Sequence, residues 1–158
     1  MRIIGIDPGT GILGFGIIET SPNKDHPLLI DAGVIRTPAK QADAIRLGTI
    51  YDELTAIIAD TKPQAMAVER LFFAQNITTA MTVSQARGVV LLCAQQAGLE
   101  IYEYTPLQIK MALTGYGRAQ KKQIQEMVRV ILHLAVIPEP DDCADALACS
   151  ITHIMTMR

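Results

Sequence analysis

Cysteine is scarce in this chain of 158 residues, aromatic side chains make up only 4% of it, and the net charge is a mere −2. Cys93, Cys143 and Cys149 are odd in number and stand in no C-x-x-C spacing, which argues against a zinc site and for a reducing cytoplasm. The opening apolar run breaks at Asp7, too early for a signal peptide or a membrane anchor. A net charge this small disfavours, taken alone, a nucleic-acid partner, because affinity for a phosphate backbone comes largely from Lys and Arg. What is present is ordinary: 49% hydrophobic and 19% charged residues, the balance of one globular domain spanning residues 1–158. At this length folding buries roughly 68–70% of the unfolded chain's surface, so the core needs neither disulfides nor a structural metal.

The total conceals how charge is arranged. Lys110, Arg118, Lys121, Lys122 and Arg129 face the single acid Glu126 within one stretch, whereas Glu139, Asp141, Asp142 and Asp145 crowd into the next. Segregated charge of this kind can build a site that the sum hides.

Periodicity and breakers set out an α/β chain. Residues 2–7 read as a strand, DPGTG as a turn, and residues 13–18 as a second strand studded with glycine. After the polar loop SPNKDHP, residues 28–37 read as a third strand, antiparallel to the second. Ile45, Leu47, Ile50, Leu54, Ile57 and Ile58 follow helical spacing over 43–60, and residues 64–69 form a fourth strand closed by Glu69 as Asp7 closes the first. A helix over 77–96 with Gly98 just beyond its end, a strand at 99–104, and helices at 106–113, 119–134 and 142–157 complete the order. The expectation is a five-stranded mixed sheet flanked by helices.

If strands one and four are adjacent and parallel, Asp7 and Glu69 meet at one edge of the layer, and the last helix can lay Asp142 and Asp145, three apart on one face, against them. Carboxylates a few ångströms apart cannot all stay ionised without cations, and hard oxygen ligands imply Mg²⁺ or Mn²⁺. Three of the acids also have a plain structural reading, whereas Glu69 ends an apolar strand where burial without a partner would be costly. Asp7 can open a tight turn before Pro8-Gly9, and Asp142 or Asp145 can cap a helix or favour its dipole. Asp7-Pro-Gly-Thr is also similar to the phosphate loop of actin-like kinases, but those close two domains around a nucleotide and this chain has room for one.

Taken in order, IIGIDPGTGILGFGII, AVERLFFAQN, QARGVVLL, LQIKMALTGYGRAQKKQIQEMVR and DDCADALACSITH closely resemble the RuvC family of bacterial Holliday junction resolvases, from Ile3 to His153. The resemblance implies an RNase H-like fold, a homodimer, and two Mg²⁺ ions per active site serving paired nicks in strands of like polarity at a four-way DNA junction. It places the catalytic and metal-binding acids on Asp7, Glu69, Asp142 and Asp145. It makes Phe72 the aromatic that stacks on junction bases, and Lys110 and Lys121 DNA contacts, with the RuvA–RuvB branch-migration complex as a further partner. Many relatives continue into a basic tail where this chain stops at Arg158, which puts a tail's contribution to DNA binding in question.

Beside that resemblance, Arg118 and Lys122 join Lys121 after the Gly115-Tyr116-Gly117 turn as candidate phosphate contacts, or simply as a solvated face. Phe72 and Phe73, side by side, cannot both point the same way: either one packs and one protrudes to stack, or both are core or dimer contacts. Ser84, Arg87, Gly88 and Leu91 mark a candidate dimer face, with Arg87 read as an ion-pair partner and His153 as a packed histidine outside the metal set. Two alternatives share parts of the pattern. A YqgF-type RNase H-like nuclease acting in RNA processing would lack the Phe-Phe-x-x-Asn and Gln-Ala-Arg-Gly segments, and a catalytically inactive junction-binding protein would have no need of all four acids.

Overall fold

The computed structural model describes residues 1–20, 26–70 and 77–157. Three strands, β1 (Arg2–Asp7), β2 (Ile12–Glu19) and β3 (Leu28–Arg36), form an antiparallel meander and are followed by helix α1 (Asp43–Thr61). Then come β4 (Ala65–Glu69), α2 (Ile77–Gln96), β5 (Glu100–Tyr104) and three helices, α3 (Pro106–Thr114), α4 (Lys121–Ile131) and α5 (Asp141–Thr156). The strand order is β3-β2-β1-β4-β5, with β4 parallel to both β1 and β5. This is the mixed five-stranded sheet expected from the sequence.

Element ends follow local chemistry. Gly98 takes a left-handed conformation after α2, where its N–H reaches the Gln95 carbonyl and Leu99 N–H reaches that of Ala94. Thr105 caps α3 by accepting from Gln108 N–H while Gln108 accepts from Thr105 N–H, with Pro106 as the first helical residue. The expected helix 119–134 is trimmed at both ends. Gln120 N–H is held by the Gln123 side chain at 2.8 Å, which starts the helix at Lys121, and His133 turns left-handed, which stops it after Ile131.

Alternation of side chains splits the core into two layers. On one face Ile4, Ile6, Ile17, Met66 and Val68 pack with Ile50, Leu54, Ala86 and Val90 of α1 and α2. On the other Ile3, Ala65 and Ala67 pack with Ile109, Ile124, Val128, Leu147 and Ile151 of α3, α4 and α5. Here α5 lies directly on the strands. A Cβ on Gly5 would run into the Ala146 carbonyl oxygen, and one on Gly14 into that of Asp142, so glycine is what lets helix backbone reach strand backbone. In the 158-residue sequence those glycines read only as punctuation of a strand.

Candidate active site

Period-two alternation decides where two of the acids point. Asp7 shares a face with Ile3 and Gly5, and Glu69 shares one with Ala65 and Ala67, which is in both cases the face covered by α5. The parallel β1–β4 pairing runs through Ile6 opposite Val68, so the next residues, Asp7 and Glu69, end neighbouring strands at the same edge. Gly14 is the β2 partner of Asp7 and lies under the Asp142 carbonyl, which brings the first turn of α5 over the Asp7 carboxylate. The N-cap of α5 is Pro140, with no side-chain cap bond, so neither Asp142 nor Asp145 is engaged as a cap.

Electrostatics registers the convergence. Burial, then the charges of Asp145, Glu69 and Asp142, push the Asp7 carboxyl up to about 7, against relief from Lys121. Burial and then Asp145 raise Glu69, with Lys121 and Lys110 opposing. Asp145 is raised by burial, opposed by a hydrogen bond from Lys121. The Lys121 ammonium lies 3.0 Å from Asp145 Oδ2 and 3.2 Å from Asp141 Oδ2. Burial works against its charge, but the bond to Asp145 and then Asp141 prevail and hold its pKa above the usual lysine value.

A cleft of about 180 Å³ opens between β4, α3, α4 and α5, with Glu69, Asp145, Lys110 and Lys121 around it and Ile109 and Ile124 among its walls. Two carboxylates and two ammonium groups thus share one opening. Lys122, next in sequence to Lys121, instead lines a separate groove with Gln123, Glu126, Met127 and Ile137. Arg118 is exposed on the turn between α3 and α4. Phe72 lies outside the described residues.

The donor set is all carboxylate oxygen, the chemistry of hard divalent cations, and a cation already stands on one of its members in the form of Lys121. Among the described residues no three His, Cys, Asp or Glu side chains are drawn tightly enough together to hold an ion as they stand. The residues therefore fit such a metal in kind, with closure left to the side chains. The other residues singled out in the sequence are paired or packed away from the acid cleft's lining. Arg87 pairs with Glu103 at 2.8 Å. His153 is buried, its Nδ1 2.8 Å from the Tyr104 hydroxyl, and burial lowers its pKa. All three cysteines are free thiols and buried. Asp141, passed over in the sequence except as one charge in a crowd, turns out to share Lys121 with Asp145; the spacing Asp141-x-x-x-Asp145 was the available signal.

The sequence model of the family described as crossover junction endodeoxyribonuclease RuvC matches residues 3–153. The chain belongs to the RuvC family. RuvC from Heliobacterium modesticaldum is 56% identical over 151 residues, covering 96% of this chain and 92% of that protein. The Chloroflexus aurantiacus protein of the same name is 53% identical over 156 residues, covering 99% and 94%. Among solved structures, Thermus thermophilus RuvC in complex with Holliday junction substrate superposes with a TM-score of 0.94 at 37% identity, over 100% of this chain and 95% of that one. The RNase H-like fold expected from the RuvC resemblance is the one observed.

Proposed function

We propose that this RuvC-family chain is a structure-selective DNA endonuclease that resolves Holliday junctions by paired nicks in strands of like polarity, during recombination and repair. The observation that carries the reading is the meeting of Asp7, Glu69, Asp142 and Asp145 at one sheet edge beside Lys110 and Lys121. Asp7, Glu69, Asp142 and Asp145 are the proposed ligands of two Mg²⁺ ions, for which Mn²⁺ can substitute; bound there, such ions polarise a phosphodiester and activate water. The hydrolysis joins a water oxygen to phosphorus as a P–O ester bond breaks, leaving one phosphate end and one hydroxyl end.

The chain's own groups bind and orient the strand. Lys110 and Lys121, at the mouth of the cleft, meet the backbone phosphates; Arg118, exposed on the turn before α4, and Lys122, exposed beside the neighbouring groove, are further proposed phosphate contacts. The apolar walls at Ile109 and Ile124 limit water around the acids. Phe72 is the proposed stacking aromatic.

A junction has paired target strands, so the proposed working unit is a homodimer. On α2 the exposed stripe runs through Met81, Gln85, Gly88 and Leu92, with Ser84 and Leu91 half-buried at its border. Nothing lies within 4 Å of a Cβ built on Gly88, which leaves room for a second copy of the helix to approach. Among the described residues no helix is long and apolar enough to cross a membrane. A cytoplasmic enzyme working beside a RuvA–RuvB branch-migration complex is the proposed setting.

The test is a labelled synthetic four-way junction incubated with the full chain in Mg²⁺ or in chelator, with the nicks mapped on every strand. Paired, metal-dependent nicks placed symmetrically about the branch point are expected. Equal cutting of linear duplex, or no metal-dependent cutting, would overturn the reading.

A further inference from the structure

Two helices face each other across the mouth of the cleft, each presenting a pair of residues one turn apart. Lys121 and Gln125 share a face of α4, and Asp141 and Asp145 share a face of α5. Their side chains interlock. Gln125 Nε2 donates to Asp141 Oδ1 at 3.0 Å, while the Lys121 ammonium spans from Asp141 Oδ2 at 3.2 Å to Asp145 Oδ2 at 3.0 Å. Asp141 therefore has one oxygen tied down and the other aimed at the lysine. The two carboxylates differ in surroundings: the Asp141 side chain is 64% exposed and that of Asp145 28%.

The ammonium 3.0 Å from Asp145 Oδ2 occupies a position that a divalent cation would take on that oxygen. An ion that takes that oxygen displaces the ammonium, and a doubly charged neighbour then repels it. A long flexible lysine released without a partner would spread over many rotamers and leave the cleft mouth. Asp141 removes that outcome, because its oriented oxygen lies within hydrogen-bond distance of the same ammonium, outside the cluster.

We propose that Asp141 is a positioning residue: it receives the Lys121 ammonium when a divalent cation takes Asp145, and so keeps that charge at the cleft mouth, where a DNA phosphate arrives. This rests on reading the acid cluster as the cation site. In the metal-free protein Lys121 is an internal counter-ion shared between the two aspartates. In the loaded protein it is held by Asp141 alone, and Gln125 steadies the holder.

The experiment is calorimetric titration of Mn²⁺ into the DNA-free full chain, comparing wild type, Lys121→Met, Asp141→Asn, the double variant and Asp7→Asn. Removing the competing ammonium in Lys121→Met is expected to tighten Mn²⁺ binding roughly two- to fivefold, the range of a partly exposed ion pair. Asp141→Asn, which strands the ammonium on Asp145, is expected to weaken it by a similar factor, with Asp141→Glu restoring it. In the Lys121→Met background Asp141→Asn should have little further effect. Equal weakening by Asp141→Asn in both backgrounds would make Asp141 a mere remote charge and overturn the proposal. So would unchanged affinity in Lys121→Met. Because Asp141 is largely exposed, its variants are expected to melt as wild type does. If Asp7→Asn bound Mn²⁺ as wild type does, the cation-site reading itself would fall. If wild type bound and Asp7→Asn did not, while the lysine and Asp141 variants were silent, only the proposal would fall.

Discussion

The two faces of the sheet are built on different terms. Against α1 and α2 the strands present Ile4, Ile6, Ile17, Met66 and Val68, and the gap is filled by large side chains. Against α5 the strands present glycine at positions 5 and 14, and the helix backbone rests on them. A side-chain-filled interface accommodates small shifts, since rotamers can adjust. A backbone contact allows little, and the acids of α5 are thereby held to the acids of the strands. Both faces bury apolar side chains, but the second gives up side-chain volume at Gly5 and Gly14 to place charged groups close together.

The sharpest way to break that contrast is Asp7→Asn. It is expected to abolish junction nicking while leaving junction binding largely intact, checked by single-turnover cleavage beside binding in a non-catalytic ion. It also changes stability in a defined pH window. The folded carboxyl of metal-free protein is pushed up to about 7, above its ordinary value near 3.8, so its contribution is complete below the lower value and lost as pH rises through the higher. That loss is on the order of 4 kcal/mol between those limits. Urea melts in chelator at several pH values should show wild type weakening from about pH 4 to 7, and Asp7→Asn weakening much less.

Gly5→Val is next in size. The added atoms meet the Ala146 carbonyl of the α5 backbone, so the helix must move, at about 3 kcal/mol or more in denaturant melts and with loss of nicking. Neutralising Lys110 in Lys110→Ala acts on binding instead. It should lower the slope of log affinity against log salt by about one, whatever the sequence at the junction centre, in salt-dependent binding assays. The smallest effect belongs to the opposite face. Ile50→Val, at a fully buried position of α1, should cost about 1 kcal/mol with nicking unchanged. A large loss of nicking there would mean that both faces position the site, and the distinction would fail.

Much of this was readable in the chain itself. The strand ends at Asp7 and Glu69 and the turn at Gly98 stand where breakers and alternation put them, because those signals act over a few residues. The helix after the Gly115-Tyr116-Gly117 turn was expected longer at both ends than it is, since the Gln120–Gln123 bond and the left-handed His133 lie outside any apolar periodicity. Of the residues that the sequence offers as a dimer face, Gly88 is exposed and Ser84, Arg87 and Leu91 are half-buried. Arg87 is claimed by Glu103 and Leu91 joins the core beneath, which leaves Met81, Gln85, Gly88 and Leu92 outermost.

The sequence by itself determined the order of elements, the two layers of apolar side chains and the four acids at the ends of elements, because hydrophobic period and turn chemistry are local. Only the tertiary structure decided that Lys121 enters the acid cleft while Lys122 turns into another groove, and that Asp141 shares the lysine with Asp145. Period tells which residues lie on one face of a helix. Which face meets which neighbour depends on the rotation and closeness of α4 and α5 on the sheet, and that is set by packing between segments distant in the chain, down to the backbone contact that glycine permits beneath Ala146 and Asp142.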